Sequence, residues 1–232
     1  MARRLHYYYD ETPEATDFKR LYNKLRSHQE QSRIRSVMIS SPTIGEGKST
    51  VAAFLAAAAT RFRQTETVLI DCDLRRPQVH KLYGLPIENG VADILAGGAD
   101  VRSALKPSVF PNLKILTAGV ARQSPADLFS SMRLHELLDQ ARFYFKCVLI
   151  DAPPIIPVSD ALLLSNEVEG LLFVFKAGVT TKSVAQRALD LLQDNRKKVL
   201  GVVLNNAKGV LPYYFDYSYY DYQYYGDEFV AR

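Results

Sequence analysis

Six short apolar runs, rich in β-branched residues, constrain this chain more than anything else in it. They are SVMISS (36–41), TVLIDCD (67–73), LKILTAG (113–119), CVLIDAP (147–153), LLFVFKA (171–177) and VLGVVLNN (199–206). A strand buried on both faces of a parallel sheet reads as such a continuous run, whereas a half-exposed strand alternates. Helical patterns lie between them: 49–62, 130–143 and 181–195, the last with Val184, Ala188, Leu191 and Leu192 on one stripe. The alternation of strand and helix predicts an α/β domain with a doubly wound, mostly parallel sheet. Open sheets of this kind bind ligands at the carboxyl ends of their strands, so chemistry is sought there.

The pattern also divides the chain. Residues 14–30 place Phe18, Leu21, Tyr22 and Leu25 at helical spacing among charges, so 1–35 reads as an amphipathic helical segment outside the main core. That helix could dock on its own domain or on a neighbour. The sheet domain follows over 36–206, and a compositional change marks 207–232 as a flexible tail. Within the tail, YYFDYSYYDYQYYGDEF (213–229) has eight tyrosines among acidic or small residues and nothing basic. Its acidic interruptions fit no core pattern, which leaves a low-complexity tail, an edge strand or a set of acceptor hydroxyls.

A net charge of +4 on 232 residues, with basic residues in separated places such as Arg33/Arg35 and Lys197/Lys198, argues against nucleic acid as a partner. No apolar run reaches the length of a membrane span and the start lacks a signal peptide's apolar stretch, which predicts a cytoplasmic location. Cys72 and Cys147 sit in or beside interior runs without metal or redox spacing, and read as reduced structural thiols.

The first run leads into PTIGEGKST (42–50), a variant of the phosphate loop G-x-x-x-x-G-K-[ST] with Pro42 at the first glycine. The expected cradle is Gly45, Glu46, Gly47, Lys48, Ser49 and Thr50. Backbone N–H groups and a helix N-terminus would face phosphate oxygens, Lys48 would offset charge, and the Ser49 hydroxyl could ligate Mg²⁺. The second run ends in DCDLRRP, placing Asp71 and Asp73 on one side of an extended chain, with Arg75 two residues on. Such a turn could bind a metal or cap the next segment. The fourth run delivers Asp151 to its end, the Walker B position, before Pro153 and Pro154 stop the strand. Together these residues suffice to bind a nucleotide with Mg²⁺. Asn205, at the end of the last run, could read an adenine edge or simply make a turn.

These motifs resemble those of the bacterial tyrosine kinases, P-loop proteins that control capsular and extracellular polysaccharide synthesis and export. GEGKST, the apolar run before DCDLRRP, VLIDAPP followed by VSDA, NGVADILAG and the tyrosine cluster carry the resemblance, which covers nearly the whole chain. It implies a P-loop NTPase fold with Walker A, A′ and B motifs and an ATP-dependent autokinase. Lys48 would stabilise the β- and γ-phosphates, Ser49, Asp73 and Asp151 would hold Mg²⁺, and Asp71 would take the phenol proton. The acceptors would be Tyr213, Tyr214, Tyr217, Tyr219, Tyr220, Tyr222, Tyr224 and Tyr225, modified between subunits. Implied partners are a transmembrane polysaccharide co-polymerase-type adaptor whose cytoplasmic tail activates the kinase at the inner face of the plasma membrane, protein tyrosine substrates, and further copies of the chain in a homo-oligomer. The family's subunit-contact motif E-x-x-R-x-x-R is represented here by Asp17, Arg20 and Asn23, with Arg26 one step further. Septum-positioning and partition ATPases share the fold, but their phosphate loops carry an early lysine that SPTIGEGK lacks.

Overall fold

A computed structural model describes residues 13–207. Its seven-stranded sheet has the spatial order β3-β4-β2-β5-β1-β6-β7. Six strands run parallel: β1 (Ser36–Ser40), β2 (Thr67–Asp71), β4 (Leu113–Leu116), β5 (Cys147–Asp151), β6 (Gly170–Lys176) and β7 (Val199–Asn205). These are the six apolar runs. β3 (Lys106–Pro107) pairs antiparallel with β4 at one edge. At two residues, and with a proline, it carries no pattern by which a sequence could announce it.

All six parallel strands stop short of the runs that foretold them, and for four of them the loop that starts there explains why. β2 ends at Asp71, whose carboxylate accepts the N–H of Asp73 and turns the chain. β5 ends at Asp151, and Pro153 and Pro154 follow. β4 ends at Leu116, three residues before Gly119 takes a positive φ of 74°. β1 ends at Ser40, where the phosphate loop begins.

Apolar layers cover both faces. On one, the N-terminal helix α1 (Pro13–Ser32) and α2 (Lys48–Arg63) pack with Val37, Ile39, Leu69, Leu149 and Val174. α2 is buried along most of its length, because alanines at 52, 53 and 56–59 let the helix lie close to the strands. α1 is not peripheral to this layer, contrary to its sequence pattern: Tyr22 and Leu25 are buried in it. Phe18 stacks on Phe54 of α2 at 5.3 Å, and the Tyr22 hydroxyl meets Thr65 Oγ1 at 2.8 Å. The opposite layer gathers Met38, Ile70, Val148, Ile150 and Phe173 under helices that include 132–144 and 160–167.

Cys72 and Cys147 are free and buried, and burial raises both thiol pKa values, that of Cys147 to about 11. Neither is poised to react. The NGVADILAG segment packs against the end of β4, where Val91 and Ala92 donate to the Thr117 and Ala118 carbonyls. A side chain at Gly90 would collide with the Thr117 carbonyl, its Cβ only 2.1 Å away. The tyrosine cluster lies outside the described residues, as does the stretch before Pro13.

Candidate active site

Strand order alone brings the expected carboxylates to one place. β5 lies between β2 and β1, with Asp71 in register with Asp151 and Asp151 with Ile39. The loop after β1 therefore leaves the sheet beside both acidic strand ends.

That loop forms the turn its sequence suggested. Gly45 and Gly47 hold positive φ values of 84° and 93°, a region L side chains disfavour. Gly47 caps α2, with its carbonyl accepting from Val51 N–H. Pro42 fits because this position contributes only a carbonyl, which accepts from Ile156 N–H at 3.1 Å, while Ser41 O accepts from Ile155 N–H. The Walker A loop is thus fastened to the segment after Asp151. Glu46 turns inward and is nearly inaccessible; Thr43 Oγ1 donates to its Oε1 at 2.6 Å. Lys48 and Ser49 are buried at the head of α2, and Thr50 beside them is exposed.

Lys48 is the hub of the site. Its Nζ donates to Asp73 Oδ2 at 2.6 Å and to Ser49 Oγ at 3.3 Å, and stands 3.6 Å from Asp151 Oδ1. Asp151 and Asp73 outweigh desolvation and raise the lysine pKa, so Lys48 stays charged. Asp151 is fully buried, and neither of its oxygens accepts a hydrogen bond among the described residues. Burial raises its pKa against the pull of Lys48. Asp71 is also fully buried, its pKa well above the carboxylate range through burial and the nearby Asp151. Its oxygens accept from Asp73 N–H at 3.1 Å and Val79 N–H at 3.0 Å. Asp71 therefore also shapes the loop that presents Asp73, the capping its sequence allowed.

Whether a divalent cation suits these groups is a question of donors and charge. Ser49, Asp73 and Asp151 offer hard oxygens, and the unbonded Asp151 oxygens are the buried acceptors such an ion would satisfy. Among the described residues no cluster of three or more His, Cys, Asp or Glu forms a ready-made cage. Mg²⁺ suits a site of this kind, because it commonly takes one or two carboxylates and completes its shell with water and phosphate.

Arg75 and Asp160 form a contact the sequence reading did not assign. Arg75 Nε and Nη2 donate to Asp160 Oδ2 and Oδ1 at 2.6 and 3.1 Å, and Asp160 is almost fully buried at the start of helix 160–167. The pair joins the loop carrying Asp73 to the segment after Asp151. D-x-D-x-R and VSDA were both visible in the sequence, but no spacing rule couples motifs 85 residues apart. Asn205 reaches the site from β7: its Nδ2 donates to Glu46 O at 2.8 Å.

The family described as "ParA: NUBPL iron-transfer P-loop NTPase" matches residues 33–216. The tyrosine-protein kinase YwqD of Bacillus subtilis is 36% identical over 81% of this chain and 78% of its own length. The chain belongs to the bacterial tyrosine kinases. The family is built on the ParA-type P-loop fold, as the sheet and Walker motifs here show. The tyrosine-protein kinase wzc of Salmonella typhi is 33% identical over 82% of this chain, which spans only 27% of that protein. Among solved structures, the chimerical protein CapA2B2 superposes with a TM-score of 0.78 at 28% identity, covering 84% of this chain and 85% of the other. The kinase domain of Escherichia coli ETK gives 0.74 at 26%, covering 81% and 74%. The septum site-determining protein MinD of Pyrococcus horikoshii shares the fold alone, at a TM-score of 0.63 and 23% identity over 73% and 69%.

Proposed function

We propose that this chain is an ATP-dependent protein-tyrosine kinase that phosphorylates its own C-terminal tyrosine cluster, between subunits, and so regulates capsular or extracellular polysaccharide synthesis and export. The observation that carries this reading is Lys48 set between Asp73 and Asp151 at the mouth of a phosphate loop, in a chain 36% identical to a tyrosine-protein kinase. Gly45 to Thr50 cradle the phosphates, and Lys48 exchanges its carboxylate partners for phosphate oxygens. Ser49, Asp73 and Asp151 are the groups that would hold Mg²⁺, which offsets the charge of the transferring phosphoryl group.

A tyrosine hydroxyl, with a pKa near 10, is a weak nucleophile at neutral pH. Asp71 takes its proton in this reading; burial raises the proton affinity of that carboxylate, as a base requires. An extended chain from Asn206 to Tyr225 spans roughly 60 Å, enough to reach a neighbouring subunit. Each phosphotyrosine adds about −1.5 to −2 charge, so eight would add roughly −12 to −16 and favour separation. A transmembrane adaptor of the co-polymerase type would recruit the chain to the inner face of the plasma membrane and activate it. Among the described residues no helix is long and apolar enough to cross a membrane.

Purified protein incubated with Mg-ATP and probed for phosphotyrosine tests this directly, beside Lys48→Met and a chain ending at Ala207. Wild type should label, with and without candidate adaptor tails differing in rate, and both variants should stay blank. Steady ATP hydrolysis without label would instead favour a nucleotide switch of the septum-positioning or partition type.

A further inference from the structure

Both ends of the Asn205 amide are spoken for inside the protein. Nδ2 donates to the Glu46 carbonyl at 2.8 Å, and Oδ1 accepts the N–H of Asn206 at 2.9 Å. Turning the amide over would set oxygen against oxygen and N–H against N–H, so a single orientation satisfies both contacts. The reach is long: Asn205 ends β7, the loop follows β1, and β6 lies between them. Its landing place is made by a missing side chain. A Cβ on Gly47 would stand 2.0 Å from Asn205 Nδ2, so glycine serves there for space as well as for its positive φ. The strand is itself secured at this point, since Asn205 O accepts from Ala177 N–H.

We infer that Asn205 is a positioning residue for the phosphate loop, acting through the Glu46 carbonyl, and that it does not select the base. The Glu46–Gly47 peptide carries the Gly47 N–H, one of the donors aimed at phosphate oxygens, and because the peptide is planar, fixing its carbonyl sets where that N–H points. A brace of this kind strengthens binding of any polyphosphate, whatever base it bears. A base-reading amide would strengthen ATP alone, since adenine and guanine present different edges.

The inference rests on the nucleotide-site reading above and is tested by binding, without turnover. Dissociation constants of Mg-ATP, Mg-GTP and magnesium tripolyphosphate are measured by calorimetry on the full chain, on Asn205→Ala and on Asn205→Asp. Loss of one hydrogen bond should weaken all three ligands by about three- to tenfold in Asn205→Ala, by the same factor. Asn205→Asp should weaken them further, because it sets a carboxylate oxygen against the Glu46 carbonyl; should the alanine variant not fold, the aspartate variant carries the comparison. Weakening confined to ATP, or no weakening, overturns the inference. Wild type that binds none of the three would sink the nucleotide site and this inference with it. Wild type that binds all three but forms no phosphotyrosine would sink only the kinase reading.

Discussion

Lys48, Asp71, Asp73 and Asp151 place one cation among three carboxylates in a space almost closed to water. Folding raises the pKa of Asp151 and Asp71, so the native state binds protons that the unfolded chain releases. Their contribution to stability is therefore greatest in acid and declines as pH rises from the ordinary carboxylate range near 4 through the raised values. Replacing Asp151 by Asn removes a buried charge with no hydrogen bond while Lys48 keeps Asp73. The nucleotide-free variant should melt about 2–6 °C above wild type at pH 7.5, with the gain shrinking towards pH 4 in a calorimetric series. Its phosphoryl transfer should fall by about 100-fold or more. Lys48, Ser49, Asp73 and Asp151 were all legible as residues, because each sits at a strand end or in a loop motif. That Lys48 would bond to Asp73 more closely than to Asp151 was not, since the distances depend on how three loops fold over one another.

Between elements, long-range pairs do what motifs cannot announce. Arg75 and Asp160 fasten the loop after β2 to the helix after β5, across the place where Asp73 and Asp151 must keep their spacing. Arg75→Met should slow phosphoryl transfer by about 10–100-fold while leaving ATP binding within a few fold, as read from the split between kcat and KM. α1 shows the same limit of sequence reading from another side. Phe18, Tyr22 and Leu25 revealed a helix with one apolar face, yet periodicity does not say what that face covers. In the fold it lies on α2, the helix that carries the phosphate loop, so Leu25→Ala should cost about 2–5 kcal/mol in a denaturant titration. Activity per folded molecule should change little, because Leu25 does not touch the site.

For the whole molecule, the central runs β1, β2, β5 and β6 fixed the sheet because they are buried on both faces, while β7 at the edge kept the same apolar pattern with Val202 and Leu204 half exposed. β3 escaped notice for the opposite reason: two residues at an edge bury little and need no pattern. In the proposed reaction this site phosphorylates the tyrosine cluster of another copy. A donor chain with all eight cluster tyrosines changed to phenylalanine is mixed with an acceptor chain carrying Lys48→Met, and Mg-ATP labelled in the γ-phosphate is added. Phosphotyrosine should appear on the acceptor, confined to residues 213–225, at a rate that rises with donor concentration. An acceptor that stays unlabelled while the donor hydrolyses ATP steadily would contradict it.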